Sequence, residues 1–246
     1  MVGFIAASPI NQPSLFLNMF KFDAGVVKLF VGLMKKEKRG GAAPNQGRRE
    51  RNKADKLRRI KAAARELFIK HGYDDASMRE IAHRADVALG TIFSYAADKR
   101  DLLFLVANDE LAEAAARAAA AVRADSKLLD NLVRSLSLVY EYFGEEPQLS
   151  RLTLREMQFY EVGAQAKKFL TTRDRMRSLI VKSISIAIDK GEIATAQTAE
   201  VVGGVIFSIF QIEVRQWLAA TRRVDVRDGI KQLKKSLSVV FSGLHA

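Results

Sequence analysis

The sequence predicts an all-α fold in which a three-helix N-terminal domain precedes a larger helical C-terminal domain. Apolar residues make up 48% of the 246 residues and the chain has only 4 prolines, a composition typical of a folded, helix-rich protein. Apolar residues recur at helical spacing from residue 52 onward, and no run with the alternation of a strand has useful length.

The N-terminal residues, 1–47, are predicted to form an extension and a basic linker without fixed structure. Charged residues interrupt the apolar patches of residues 1–34, so none reaches the roughly 18–20 residues of a membrane span. The N-terminal segment also lacks the positively charged n-region of a signal peptide. We expect the native chain to start at Met34, with Met19 as the weaker alternative, and residues 35–48 to be a Gly-rich basic linker.

The first long helix is predicted over residues 52–71, with Gly72 as its stop. The net charge of the chain is +12, and residues 48–70 hold ten Lys or Arg against three acids. Such a run is usually a solvated helix face. Its position before a helix-turn-helix favours phosphate contacts, for which Arg58, Arg59 and Lys61 are the candidates.

The stretch from Ser77 to Lys99 predicts two short helices joined by a tight turn. Ser77 and Glu80 form a capping box at the start of the first helix, over residues 77–85. Asp86 and Val87 make the turn, and the second helix runs over residues 89–95 with Ile92 pointing inward. Small and hydroxylated residues on its other side suit close approach to a DNA backbone.

This stretch resembles the DNA-binding domain of TetR-type transcriptional regulators. The pattern covers about thirty residues, and the residues that carry it are Gly72, Tyr73, Ala76, Ser77, Met78, Ile81, Ala82, Ala85, Val87, Gly90, Thr91, Ile92, Phe93, Tyr95, Lys99 and Leu102. The resemblance implies a homodimeric repressor that places residues 89–95 in a major groove of double-stranded DNA at a palindromic operator. The implied DNA contacts are Leu89, Gly90, Thr91, Phe93, Ser94, Tyr95 and Lys99.

Three residues depart from the pattern of that family. Asp86 stands where Gly is usual in the turn, and it tolerates a left-handed conformation better than most residues do. Ala88 stands where Ser usually caps the recognition helix, a loss worth about 1 kcal/mol. Phe93 replaces Tyr, so one hydroxyl for a phosphate is missing.

The C-terminal domain, residues 99–246, is predicted to bind an effector and to dimerise. Asp98 caps a helix over residues 99–123 whose Leu102, Leu103 and Val106 should pack on the DNA-binding domain, residues 48–98. The segment 201–218 is apolar nearly all round and should be buried on more than one side. Further helices are expected near residues 127–143, 147–160, 165–190, 197–220 and 226–244.

The resemblance implies an effector chamber and a helical dimer interface in this domain. Aromatic and methionine side chains that could line the chamber are Phe104, Tyr142, Met157, Tyr160, Phe207, Phe210 and Trp217, with Arg155, Gln158 and Gln211 as polar residues. Most of the former are expected to be ordinary core. The dimer interface is assigned to Val205, Ile209, Ile230, Leu233, Leu237 and Val240, for which core packing is again the plain alternative.

Other classes of function have less support in the sequence. No paired carboxylates, Ser-His-Asp arrangement or Gly-rich phosphate loop argue for an enzyme, and neither a metal nor a cofactor is expected. The chain has no cysteine, so disulfides and thiolate metal sites are excluded, which suits a cytoplasmic protein. The open alternative is a nonspecific or architectural nucleic-acid binder that uses only the basic region. The effector itself cannot be read from the sequence.

Overall fold

The computed structural model describes residues 44–220 and 224–243, and it divides the chain into two units, residues 1–52 and 53–246. All regular structure in the described residues is helical. In chain order the helices are α1 Pro44–Asp75, α2 Met78–Arg84, α3 Leu89–Phe93, α4 Lys99–Ala120, α5 Leu128–Glu145, α6 Pro147–Glu156, α7 Ala166–Asp189, α8 Ala199–Ala220 and α9 Val226–Ser242.

The first unit contributes only residues 44–52 to the described part of the chain, and they are helical. The predicted linker is therefore wrong for residues 44–48, and α1 starts eight residues before the predicted position 52. A proline is compatible with the first turn of a helix, and the Arg, Glu and Gln residues that follow are good helix formers. Residues 1–43, with the predicted start at Met34, lie outside the described residues.

Glycine ends the first long helix where the sequence predicts its stop. Gly72 has φ 80° and ψ 177°, a backbone conformation that interrupts the helix before a last short turn. Only glycine adopts such angles at low cost. The remaining helix bounds agree with the predicted ones to within four residues.

A first hydrophobic core joins the three helices of the DNA-binding domain to the start of α4. Its fully buried side chains include Ile60, Ile81 and Ile92, one from each of α1, α2 and α3. Leu102 and Leu103 of α4 belong to the same core, as the sequence predicts. The first turns of α4 therefore pack in the same core as the buried face of the recognition helix α3 and support it.

A second hydrophobic core fills the space between α4, α5, α6, α7, α8 and α9. Tyr140 of α5 lies at its centre, 4.9 Å from the ring of Trp217. Small residues let the helices approach closely, because a Cβ at Gly229 would lie 2.7 Å from Tyr140 and one at Gly203 would lie 2.7 Å from Val181. The core is thus shaped by close helix–helix packing.

One helix in the described part of the chain is long and apolar enough to cross a membrane by length and composition, residues Ala199–Ala219 of α8. Of that window, 44% is buried inside the fold, with Ile206 and Val214 in the second core. A core helix of a globular domain has this character, so the helix does not indicate a membrane protein.

Candidate nucleic-acid interface and effector cavity

The helix-turn-helix is built by a side-chain cap and a strained turn. Ser77 Oγ accepts a hydrogen bond of 3.1 Å from the Glu80 backbone N–H, which confirms the predicted cap of α2. Asp86 in the turn has φ 50°, the left-handed conformation expected at this position. Arg59 braces the turn, because its Nη1 donates to Oδ2 (2.9 Å) and to the backbone oxygen (3.2 Å) of Asp86.

The recognition helix α3 turns one face to the core and the other to solvent. Ile92 is fully buried, whereas Gly90, Phe93 and Ser94 are exposed. A Cβ placed on Gly90 would have no atom of the protein within 4 Å. Ala88 precedes the helix without a side-chain cap, as expected. The outer face is therefore open, with small residues at Gly90 and Ser94 and the larger Phe93 beside them, and it is accessible to a groove.

The structure gives several of the predicted phosphate contacts partners inside the protein. Lys61 forms an ion pair with Asp109 of α4, and Arg59 is held by the turn. Tyr95 Oη donates to the backbone oxygen of Lys53 (3.4 Å), and Lys99 Nζ donates to that of Asp74 (2.9 Å).

The remaining predicted contacts are exposed or partly exposed. Arg58 has an exposed side chain, 73% accessible, and its one ion-pair partner among the described residues is Asp55, one turn earlier. Ser94 and Phe93 are exposed, while Leu89 and Thr91 are partly buried at the edge of the same surface. Among the predicted DNA contacts, the exposed residues are thus Gly90, Phe93, Ser94 and Arg58.

A cavity of about 270 Å³ opens into the second domain between α6, α7 and α8. Its walls are mostly apolar, and four of the predicted effector residues line it: Met157, Gln158, Phe207 and Gln211. Tyr160 and Phe210, also expected from the sequence, belong to the same lining. The other apolar walls are Leu111, Val139, Phe143, Leu154, Phe159, Phe169, Met176 and Val214.

Four predicted effector residues lie away from this cavity, and one of them, Trp217, is buried in the second core beside Tyr140. Phe104 is fully buried and stacks on Tyr160 from behind, with 3.9 Å between ring centroids. Tyr142 is buried beside Phe143. Arg155 turns to the DNA-binding domain, where it pairs with Asp74. Since that pair joins residues 81 apart in the sequence, spacing along a helix cannot reveal it.

Arg215 and Arg173 are the two cations in the described lining of the cavity, and sequence reasoning missed both; Arg215 is the less exposed of them. It lines the cavity, its Nη1 donates to the backbone oxygen of Gln211 (3.0 Å), and it forms no ion pair with any described residue. Burial lowers the pKa of the Arg215 guanidinium below its usual value, although arginine remains charged at neutral pH. Arg215 is the one cation in the apolar helix α8, and a lone positive charge in such a helix is the signal that could have found it.

Thr172, Arg173 and Glu161 add polar groups to the cavity lining. An apolar chamber with a few polar groups and a desolvated cation fits an amphipathic anion. Within the described residues no group of three or more His, Cys, Asp or Glu side chains could hold a metal ion.

The predicted dimer seam of the last helix is wrong for two of its residues. Leu233 and Leu237 are 0% exposed and pack in the core of their own subunit, so neither can contact a partner. Ile230, Val240 and Ile209 are partly buried against the same core. The periodicity identified one face of α9 correctly, but that face packs on α5 and α8.

Exposed apolar residues form a stripe on α8 instead. Val201, Val205 and Ile212 are 51%, 51% and 52% exposed, and they share one side of the helix with Ser208 at spacings of four, three and four residues. Val239 of α9 is 68% exposed. Of the six residues assigned to the interface, Val205 alone is more than half exposed.

The helix-turn-helix segment of this chain is similar to that of known regulatory proteins. Residues 60–106 match the model of the bacterial regulatory proteins of the tetR family. The HTH-type transcriptional repressor KstR of Mycobacterium tuberculosis is 28% identical over 200 residues, which cover 80% of this chain and 83% of KstR.

Solved structures share the fold. FadR from Bacillus subtilis in complex with stearoyl-CoA matches with a TM-score of 0.61 and 20% identity, over 76% of this chain and 98% of that one. Thermus thermophilus FadR in complex with lauroyl-CoA matches with a TM-score of 0.55 and 20% identity, over 74% and 93%.

Proposed function

We propose that this chain, which belongs to the TetR family of bacterial transcriptional regulators and is not an enzyme, is a homodimeric repressor. The proposed repressor binds a palindromic operator and is released from it by an acyl thioester. The single observation that supports a ligand of this class is the apolar cavity with Arg215 at its wall. Two-fold symmetry of the dimer would set half-sites about one turn, roughly 34 Å, apart or at a related spacing.

Sequence-specific binding is assigned to the outer face of α3. Thr91, Ser94 and Leu89 are the residues proposed to reach base edges. Ser94→Ala should lower affinity for an operator selected from a random DNA pool, by about 1–3 kcal/mol if it makes a good base contact, and should leave random DNA almost unaffected.

Arg58 and Lys61 provide a matched pair for the phosphate contacts. Arg58→Ala should weaken binding to operator and random DNA alike and reduce the salt slope by about one unit. Lys61→Ala removes the same charge from a side chain already paired with Asp109, so its salt slope should stay near that of the wild type. If Thr91→Ala and Ser94→Ala weaken both DNAs equally, a nonspecific nucleic-acid binder becomes the better reading.

The proposed effector is an acyl chain with an anionic head, as in an acyl-CoA. Apolar walls would take the chain, and Arg215 would meet the polar end near Gln211 and Gln158. The FadR proteins solved with stearoyl-CoA and lauroyl-CoA share the fold of this chain and support this ligand class. A cavity near 270 Å³ is slightly below the usual range for drug-sized ligands, about 300–1,000 Å³, which favours a short or medium chain.

A titration with acyl-CoAs of increasing chain length tests this proposal. Operator affinity should fall with one range of chain lengths and be insensitive to free CoA. Arg215→Gln should weaken the effect, Arg215→Lys should keep part of it, and Arg175→Gln, an exposed arginine on α7, should leave it unchanged. An effect of equal size in Arg215→Gln and wild type would reject the role of Arg215.

A further inference from the structure

The carboxylate of Asp101 joins the two domains in a buried position. Asp101 is 1% exposed, and its oxygens accept hydrogen bonds from both sides. On the DNA-binding side the donor is the backbone N–H of Ala97 (2.8 Å), just after the recognition helix. On the effector side the donors are the Tyr160 hydroxyl and the backbone N–H groups of Ala164 (3.1 Å) and Gln165 (2.8 Å).

The loop between α6 and α7, residues 157–165, is shaped around this carboxylate. Gly163 has φ 140°, and a Cβ at that position would lie 2.5 Å from Asp101 Oδ1. The Tyr160 ring stacks on Phe104 and lines the effector cavity, so one side chain touches both the cavity and Asp101. A ligand that moves the Tyr160 ring must therefore disturb its bond to Asp101.

Two further contacts tie the same loop to the DNA-binding side. Arg100 donates to the backbone oxygens of Glu156 and Gln158. Gln165 Nε2 donates to the backbone oxygen of Tyr95 (3.2 Å), two residues beyond α3. The loop thus contacts the chain just after the recognition helix directly at Tyr95, and it is linked to Ala97 only through Asp101.

The middle of the loop is strained and exposed. Phe159 has φ 56° and is 83% exposed, and Val162 is 89% exposed. A left-handed conformation at a bulky residue is strained, and such strain is common in switch segments. Phe159 also lines the cavity, so its strain lies where a ligand would act.

We propose that Asp101 and Tyr160 are positioning residues that couple occupancy of the cavity to the geometry of the recognition helix. This inference rests on the proposed function for the identity of the ligand. The coupling itself must also act in the other direction, from bound DNA to the loop 157–165. Because coupling free energies between sites are reciprocal, DNA binding must change the stability of the loop as the ligand changes DNA affinity.

The first test needs only DNA. Hydrogen exchange of residues 157–165 is measured in the full-length protein with and without the selected operator. In the wild type, DNA should change exchange at the Ala164 and Gln165 amides by about threefold or more. Tyr160→Phe keeps the ring and loses the hydroxyl, while the bonds of Ala97, Ala164 and Gln165 to Asp101 remain. In this variant the DNA effect should be smaller than in the wild type, even if the loop exchanges faster throughout. The control Tyr140→Phe removes a buried hydroxyl without a partner among the described residues and should respond as the wild type does.

The second test adds lauroyl-CoA as the probe. Tyr160→Phe should bind lauroyl-CoA with affinity within about threefold of the wild type, while the ratio of operator affinities without and with ligand falls several-fold. If lauroyl-CoA has no effect on the wild type but the DNA test succeeds, the proposed effector is wrong and the coupling stands. If DNA changes exchange in Tyr160→Phe as strongly as in the wild type, or leaves the wild-type loop unchanged, the coupling is refuted.

Discussion

Gly90→Ala should make the protein more stable and its DNA binding weaker. Gly90 lies in the first turn of α3, and a Cβ there would meet no atom of the protein within 4 Å. Alanine lowers the conformational entropy lost on folding and is better than glycine in a helix by up to about 1 kcal/mol. For a domain of this size that gain raises the melting temperature by roughly 2–4 °C.

The same methyl group should obstruct DNA. If Gly90 allows the groove to approach the helix backbone, the added methyl overpacks that contact at a cost of about 1–3 kcal/mol. Since 1.4 kcal/mol is a factor of ten, operator affinity should fall roughly 5- to 150-fold. Fluorescence anisotropy with a labelled operator measures the affinity, and calorimetry or circular dichroism measures the melting temperature.

Ala88→Ser is the matched control on the same helix. Ala88 makes no side-chain cap, and a serine there can accept from a backbone N–H of the first turn, which stabilises by about 1 kcal/mol. It adds stability without adding volume at Gly90, so operator affinity should be kept or raised. Operator binding by Gly90→Ala as tight as in the wild type would show that DNA does not approach Gly90, and the assigned face of α3 would be wrong.

Three further substitutions test the packing. Val205→Glu on the exposed stripe of α8 should give a folded monomer in sedimentation, and a folded dimer of this variant would show that the interface lies elsewhere. Leu237→Glu, in contrast, buries a charge and should unfold the subunit. Gly229→Ala should lower the free energy of unfolding by about 1–3 kcal/mol, because its Cβ would lie 2.7 Å from Tyr140 and 2.8 Å from Trp217; an unchanged melting temperature would contradict this packing. Tyr140→Phe should leave stability unchanged or raise it slightly, since the buried hydroxyl has no partner within the described residues, and a loss above about 1 kcal/mol would reveal a hidden partner.

Helix ends were readable from the sequence because they depend on local chemistry. Ser77 and Asp98 cap α2 and α4 as their positions predict, and Gly72 ends the long helix with a positive φ. Such signals involve residues within four positions of one another, so a single sequence contains them. The start of α1 at Pro44 was missed because the glycines and the proline of residues 39–47 outweighed the helix formers that follow them.

The sequence did not show which part of the protein, or of a partner, covers an apolar helix face. Periodicity placed Leu233 and Leu237 on one side of α9 correctly, but the choice between a partner subunit and the protein's own core depends on where α5 and α8 lie. The same limit applies to Arg155, whose partner Asp74 is far away in the sequence, and to Phe104, which supports the cavity wall from behind. These contacts depend on tertiary packing, which spacing along one helix does not contain.

The basic first helix illustrates how charge counts and charge roles differ. Its lysines and arginines predict a phosphate-binding surface, yet Lys61 and Arg65 pair with Asp109 and Glu110 of α4. Asp109 also pairs with Lys168 of α7, so this carboxylate joins the DNA-binding helix to the effector domain. Hydrogen bonds from Lys168 and Lys61 lower the pKa of Asp109 below its usual value, so the carboxylate keeps its charge through the neutral range. Part of the positive charge of α1 therefore holds the domains together, and the number of phosphates neutralised on binding must be smaller than the number of cations on the helix.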